Sequence, residues 1–230
     1  MRDFPGSLML FAAGFGARMK PLTNNQPKPM VNVAGKPLIE HALDQATGVA
    51  IDHIVANVHY KPEPLVRHLE GTAVQTVLEA PEILDTGGGL RNALPLLGPD
   101  PVFTLNTDAV WVGPSPLGLL RDAWKPNDMD ALLMCIPVSN AHAYQGQGDF
   151  AIGDQAQLAR GPGYVYGGAQ IIKTDQLKDI DESKFSLNVL WDRMLKGNRL
   201  FGLSYPGQWC DVGHPAGISI AEDLLANSDV

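Results

Sequence analysis

The stretch LFAAGFGARMKPLT occupies residues 10–23 and continues an apolar run that begins at Leu8. The apolar run predicts a buried strand, and the small residues after it predict a loop whose backbone can approach a ligand closely. Consecutive N–H groups in such a loop can form an anion-binding nest. The sequence therefore predicts a nucleotide-binding loop that contains Ala12, Ala13, Gly14 and Gly16.

Cations cluster around this loop in a chain that is otherwise acidic. Arg18 and Lys28 are the predicted catalytic phosphate ligands, because arginine binds phosphate oxygens bidentately and lysine supplies a point charge. Lys20 and Lys36 are interpreted as solvated charges. A Gly-x-Gly loop taken by itself is equally typical of a tight turn, so the prediction depends on the longer string.

Two common phosphate-binding motifs do not fit the sequence. The chain contains no G-x-x-x-x-G-K-[ST] segment, which argues against a P-loop. The dinucleotide fingerprint requires a third glycine at the position of Met19, and its absence argues against a dehydrogenase.

The composition limits the possible partners and compartments. The 230 residues carry a formal net charge of −8, which argues against a nucleic-acid-binding face. No apolar run is long enough to span a membrane, and the N-terminus does not resemble a signal peptide. Cys135 and Cys210 are too few for a disulfide scaffold. We therefore expect a cytoplasmic protein without nucleic-acid or membrane partners, either a monomer or a small homo-oligomer.

Apolar runs alternate with helix-like stretches, which predicts an α/β fold with a mostly parallel sheet. Strands are predicted at 7–12, 53–58, 73–78, 101–106, 130–136 and 165–172, and helices at 37–49, 62–70, 88–95, 115–123, 186–196 and 215–226. We expect a single domain over residues 1–230, with a sugar-binding lid or hairpin around 137–168. A further strand within 198–213 is expected to return to the site. In such sheets ligands bind beyond the carboxyl ends of the strands.

Two further segments reach the same sheet edge. Asp108 follows the apolar run 102–105 and is predicted to bind Mg²⁺, since carboxylate oxygens suit this ion; a turn or helix-cap aspartate is the alternative. The segment 79–89 reads EAPEILDTGGG, and its glycines predict close approach of a flat ring and free N–H groups at a helix start. Glu79 and Glu82 are candidate hydrogen-bond acceptors in this segment, and Gly87 and Gly88 are its positions of close approach.

These segments together resemble the signature of the sugar-phosphate nucleotidyltransferases, roughly LAAGxGxRMxPLT followed by PKPMVxVxGKPLI. The second half reads PKPMVNVAGKPLI here, over residues 27–39. The resemblance extends from Ser7 to about Leu225 and implies the Rossmann-like three-layer nucleotide-diphospho-sugar transferase fold. It also implies that Asp211, in WCDVG, supplies a second Mg²⁺ carboxylate beside Asp108.

The resemblance further implies that the 79–89 loop contacts the nucleobase, with Glu79 or Glu82 as the acceptor, and that Gly87 and Gly88 lie against the nucleotide. Thr107 stands where the family usually has glycine, and its side chain is expected to narrow the space beside the sugar or ribose.

The sugar side of the site follows from the same resemblance. It implies that the sugar contacts are made by Asn106, Asp149, Gly168 and Asn188. Many larger members carry a lysine for the sugar phosphate, and Arg160 is the nearest cation in that region. Arg160 is a weak substitute, and a solvated arginine is an equal alternative.

The implied reaction is transfer of a nucleotidyl group from an NTP to a sugar 1-phosphate with release of pyrophosphate. Short length, the DTGGG loop and the GDF segment favour members that join UTP to N-acetylmuramate 1-phosphate, in peptidoglycan recycling. Guanylyl transfer to mannose 1-phosphate and uridylyl or thymidylyl transfer to glucose 1-phosphate are alternatives. A catalytically inactive nucleotide-sugar-binding module is an alternative from another class.

Overall fold

The computed structural model describes residues 3–98 and 101–228. The strands in this part of the chain are β1 (Ser7–Phe11), β2 (Asn32–Val33), β3 (Lys36–Pro37), β4 (His53–Val58), β5 (Val74–Leu78), β6 (Val102–Asn106), β7 (Ala109–Val112), β8 (Ala131–Pro137), β9 (Ala141–His142), β10 (Phe150–Ile152), β11 (Leu158–Arg160), β12 (Tyr164–Ile172), β13 (Leu200–Ser204) and β14 (Gln208–Asp211). The α-helices are α1 (Leu38–Asp44), α2 (Pro62–Leu69), α3 (Asp85–Leu97), α4 (Pro116–Ala123), α5 (Asn188–Lys196) and α6 (Ala216–Ala226).

A mixed, mostly parallel sheet forms the centre of the molecule, which confirms the predicted fold class. Its order is β11-β10-β12-β6-β1-β4-β5, and β8 and β13 extend it from β12. The β6-β1-β4-β5 core is parallel, whereas β12 runs antiparallel to both β6 and β8. The carboxyl ends of the four parallel strands therefore meet at one edge.

Helices cover both faces of the sheet because the central strands are apolar on both sides. In β1, Leu8 and Leu10 pack on the face that carries α1, α2 and α4, whereas Met9 packs with Leu90 of α3 and Leu190 of α5. These five side chains are fully buried. Each such burial stabilises the fold by about 1.5–3 kcal/mol. The alternation of β1 between two cores thus produces the three layers.

The predicted elements agree with the structure to within a few residues, with one clear exception. The helix predicted over 37–49 ends at Asp44. Beyond it the chain makes i→i+3 turn bonds, such as Ala46 N–H to the Leu43 carbonyl at 3.0 Å, and Gly48 adopts a φ of 77°. Residues 45–48 therefore form turns instead of a further helical turn.

The irregular segments 137–168 and 198–213, where a hairpin and one strand are expected, contain more short strands than periodicity predicts. Residues 198–213 hold both β13 and β14, and β14 pairs with β7 and β9 in a separate small sheet. Residues 150–160 form an antiparallel hairpin of β10 and β11. The hairpin joins β12 only at its first half, and β6 pairs only with its second half, so the sheet opens between β6 and β10. The lid function expected of 137–168 stays a prediction.

No helix within the described ranges is both long and apolar enough to cross a membrane.

Candidate active site

Three adjoining cavities lie beyond the carboxyl ends of the parallel strands. The central cavity, of about 250 Å³, is lined by Phe11, Ala12, Ala13, Gly14, Lys28, Pro29, Asn57, Glu79, Ile83, Asp85, Thr86, Asn106, Thr107 and Asp108. The glycine-loop cavity, also of about 250 Å³, is lined by Gly14, Gly16, Ala17, Arg18, Lys28, Asp108 and Gly213. The aromatic cavity, of about 310 Å³, is lined by Phe11, Asp85, Thr86, Asn106, Asp149, Phe150, Arg160, Tyr166, Ser186, Leu187, Asn188 and Trp191.

Lys28 joins the first two cavities and is held there by an ion pair. Its Nζ lies 3.0 Å from Oδ2 of Asp108, and only 11% of its side chain is exposed. Lys28 begins a short 3₁₀ turn between Pro27 and Pro29, which fixes the backbone that carries it. Arg18 is exposed on the wall of the glycine-loop cavity. The two predicted phosphate cations thus face one cavity.

The predicted metal carboxylates are brought together by strand pairing. Asp211 ends β14 and pairs with Ala109 of β7, and the Val212 N–H donates to the Asp108 carbonyl at 2.9 Å. Burial raises the pKa of Asp211, and the Asp108 carboxylate raises it further. Three neighbours act in the opposite direction and lower this pKa: Lys28, Arg18 and His214.

The donor set fits a hard divalent cation such as Mg²⁺. Two carboxylates repel each other in a partly buried site, and a cation that prefers oxygen ligands relieves that repulsion. Within the described residues, no group of three or more His, Cys, Asp or Glu side chains could hold a metal. The protein would thus supply two carboxylates, and phosphate oxygens and water the remaining ligands.

A buried hydrogen-bond relay fixes the small-residue loop against its neighbours. The Ala12 N–H donates to Oδ1 of Asn57 at 2.7 Å, and Nδ2 of Asn57 donates to Oε1 of Glu79 at 2.6 Å. The Leu84 N–H donates to Oε2 of Glu79 at 2.7 Å. Asn57 and Glu79 are 3% and 1% exposed, so water cannot replace these bonds. The relay connects the carboxyl ends of β1, β4 and β5 to the start of α3.

Glu79 lines the central cavity, but both of its carboxylate oxygens already accept protein hydrogen bonds. This arrangement favours a positioning role over direct contact with a base. Glu82 is exposed and does not line the central cavity. Sequence reasoning missed Asn57, although its signal is present: a polar residue near the carboxyl end of an otherwise apolar strand.

The prediction that the glycine run leaves its N–H groups free is wrong. The N–H groups of Gly87 and Gly88 both donate to the Phe185 carbonyl, at 2.9 and 3.1 Å. Both glycines are buried and do not line the cavities, because the segment around Phe185 packs on the first turn of α3. Asp85 and Thr86, directly before these glycines, line the central cavity instead.

The predicted sugar residues gather around the aromatic cavity. Asn106 lies between the central and aromatic cavities, and Asp149 and Asn188 line the latter. Gly168 is a correction: it is buried, does not line the cavity, and packs against Asn106. Its φ is 92°, and a Cβ there would lie 2.8 Å from Cβ of Asn106. The absence of a side chain at Gly168 therefore leaves room for the side chain of Asn106.

Thr107 lines the central cavity but not the aromatic cavity. It is 2% exposed, and its hydroxyl donates to the Phe11 carbonyl at 2.8 Å. The side chain consequently binds the end of β6 to the end of β1, directly before Asp108.

A small-residue loop, paired carboxylates and adjacent cations at this edge of an α/β sheet define the class of nucleotidyltransferases. The chain belongs to the family of MobA-like NTP transferase domains, whose model matches residues 8–215.

Curated relatives extend over nearly the whole chain. It is 36% identical to the N-acetylmuramate alpha-1-phosphate uridylyltransferase of Caulobacter vibrioides, over 99% of this chain and 100% of that protein. It is 28% identical to the protein of the same name from Neisseria meningitidis, over 94% and 96%. It is 26% identical to mannose-1-phosphate guanylyltransferase 1 of Arabidopsis thaliana, over 90% of this chain and 61% of that protein.

Solved structures show the same fold at low identity. HddC from Yersinia pseudotuberculosis superimposes with a TM-score of 0.76 at 20% identity, over 94% of this chain and 98% of that one. UDP-glucose pyrophosphorylase complexed with UDP-glucose also gives a TM-score of 0.76, at 15% identity, over 97% and 99%.

Proposed function

We propose that this protein transfers a uridylyl group from UTP to N-acetylmuramate 1-phosphate, releasing pyrophosphate. The observation that supports this reaction most directly is the Lys28–Asp108 ion pair at the junction of two cavities, with Asp211 beside it. The relatives over nearly full length that bear the uridylyltransferase name support the choice of substrates. Guanylyl transfer to mannose 1-phosphate is the second candidate, supported by the plant relative.

In the proposed reaction, a phosphate oxygen of the sugar 1-phosphate attacks the α-phosphorus of the NTP. A new P–O bond forms there as the bond to the β-phosphate breaks and pyrophosphate leaves. Arg18 and Lys28 hold the β- and γ-phosphates and neutralise the charge on the leaving group. The attacking oxygen is already anionic, so no general base is required.

Asp108 and Asp211 would hold Mg²⁺, which supplies positive charge that lowers the repulsion between the two anionic substrates. The chain's own residues do the positioning. The relay through Asn57 fixes the loop at Ala12, and Asn106 lies between the cavity for the nucleotide and the cavity for the sugar. Positioning and fixed charge are the main sources of rate in phosphoryl chemistry.

We also propose that residues 1–230 form a single domain. Residues 137–168 contribute Asp149, Phe150 and Arg160 to the aromatic cavity, which supports a sugar-binding role for the segment.

The test is pyrophosphate release with Mg²⁺ over a matrix of ATP, CTP, GTP, UTP and dTTP against the 1-phosphates of N-acetylmuramate, N-acetylglucosamine, glucose and mannose. Release that is greatest with UTP and N-acetylmuramate 1-phosphate supports the proposal. Release that is greatest with GTP and mannose 1-phosphate moves the protein to the second candidate. Binding of nucleotide without release, in a protein shown to be folded by circular dichroism, would indicate an inactive binding module.

A further inference from the structure

Arg160 is fixed at the wall of the aromatic cavity by four contacts. Its Nη2 donates to Oδ1 of Asn188 at 2.7 Å and to Oδ1 of Asp192 at 2.8 Å. Its guanidinium lies 4.8 Å from the ring centroid of Phe150 and 5.9 Å from that of Trp191. These contacts preorganise a long side chain that is otherwise mobile, while 41% of it remains exposed. Such an arrangement differs from that of a solvated surface arginine.

The position of Arg160 separates it from the phosphate cations. Arg18 and Lys28 line the glycine-loop cavity, whereas Arg160 lines only the aromatic cavity. Among the described residues that line the aromatic cavity, Arg160 is the one cation. The 1-phosphate has to reach the α-phosphate of the nucleotide beside Asp108. Because Arg160 lines the aromatic cavity and not the two cavities that Asp108 lines, we expect it to face the part of the sugar that lies away from the reacting phosphate.

The guanidinium also retains donors for an anion. It carries five N–H donors, and both of its hydrogen bonds to Asn188 and Asp192 leave from Nη2. Both hydrogens of Nη2 are used in these two bonds, so the N–H groups of Nε and Nη1 are the donors left for a carboxylate oxygen. The nearby Asp149 carboxylate is engaged elsewhere, since its Oδ2 accepts from the Tyr166 N–H at 2.9 Å. A neutral sugar offers no charge that requires a cation at this end.

We propose that Arg160 is a specificity-determining residue that binds a carboxylate carried by the sugar, away from its 1-phosphate. This inference rests on the proposed function and deepens it. N-acetylmuramate differs from N-acetylglucosamine by a lactyl ether that ends in a carboxylate, so Arg160 would favour the former. Asp192 holds the guanidinium in place when the cavity contains no substrate.

The experiment measures kcat/KM for pyrophosphate release with UTP and each of these two sugar 1-phosphates, in the wild type and in Arg160→Met. The matched control is Arg121→Met, because Arg121 also pairs with one aspartate, Asp122, and is 39% exposed, but it lies on α4. We expect Arg160→Met to lower kcat/KM for N-acetylmuramate 1-phosphate by roughly 10- to 100-fold, the range for a charge-assisted contact. The value for N-acetylglucosamine 1-phosphate should change by less than about 3-fold, and Arg160→Lys should restore part of the loss.

The other outcomes separate the inference from the function on which it rests. Equal losses for both sugars would overturn the inference, because they would assign Arg160 to the shared phosphate or to the fold. No loss for either sugar would also overturn it. If the wild type releases pyrophosphate with neither sugar, the proposed substrate is wrong and the inference is wrong with it.

Discussion

Asn57 holds the small-residue loop at Ala12, and replacing it by leucine removes two buried hydrogen bonds. The Ala12 N–H loses its acceptor, and the Glu79 carboxylate loses one of its two hydrogen-bond donors, the other being the Leu84 N–H. Ala12 is 4% exposed and Glu79 is 1% exposed, so both groups stay unsatisfied. A buried group left without its partner costs about 1–3 kcal/mol, and more when it is charged.

The expected loss of stability in Asn57→Leu is about 2–4 kcal/mol, because the larger apolar side chain recovers part of the cost of two lost bonds. For a chain of this size each kcal/mol lowers Tm by about 2–4 °C, so we expect a fall of roughly 5–15 °C. Differential scanning calorimetry and urea unfolding measure the two quantities. The matched control is Asn32→Leu, the same change at an exposed strand position, which should stay within about 0.5 kcal/mol of the wild type.

Asn57→Asp tests the donor half of the relay, since it replaces the Nδ2 donor by a second carboxylate oxygen. It keeps an acceptor for Ala12 but places a carboxylate against Glu79, where the Nδ2 donor now lies 2.6 Å away. Like charges raise the pKa of one carboxyl in the folded state, so the folded protein binds an extra proton and stability falls as pH rises above about 4. An Asn57→Leu loss no larger than that of the control, or an Asn57→Asp loss that does not grow with pH, would refute the relay.

Two further predictions follow from the packing. Gly168→Ala should cost about 2–4 kcal/mol and reduce activity, because a positive φ costs about 1–2 kcal/mol and the new Cβ also displaces Asn106. Gly71→Ala, at a φ of 79° with open space around it, should show only the backbone cost, and equal losses in denaturant unfolding would contradict the steric argument. Burial raises the pKa of Cys135 to about 12 and that of Cys210 to about 12, so neither thiol should react with a disulfide reagent in the folded protein at mildly alkaline pH. Both should react in denaturant, and stoichiometric labelling of the folded chain would contradict their burial.

The parallel core of the fold was predictable because its strands are short apolar runs bounded by helices and turns. Periodicity predicted Leu8–Phe11 and 53–58 as strands for this reason, and the resemblance predicted the three layers. The strands near 141, 150, 158 and 208 are only two to four residues long. Such segments carry too few alternations to fix the bounds of each strand, so the sequence indicated only a hairpin around 137–168 and one strand within 198–213. The pairing of these strands is set by distant partners.

Site residues were predictable where the chemistry of the side chain itself indicates a role, as for Lys28 and Asp108. It was not predictable where packing decides which groups stay exposed. The N–H groups of Gly87 and Gly88 bond to a carbonyl almost a hundred residues away, and no local signal marks Phe185 as that partner. The same holds for Gly168, whose role depends on the side chain of Asn106.

The most direct test of the proposed site is turnover of Asp108→Asn, which removes one charge without changing the shape of the side chain. Asp108 is partly exposed, so the variant should fold normally, as checked by circular dichroism. With Mg²⁺ and saturating substrates we expect its rate of pyrophosphate release to fall by about 10²–10³-fold, while Asp128→Asn, at an exposed turn, should match the wild type. A rate within about 3-fold of the wild type would contradict the assignment of Asp108 to nucleotidyl transfer.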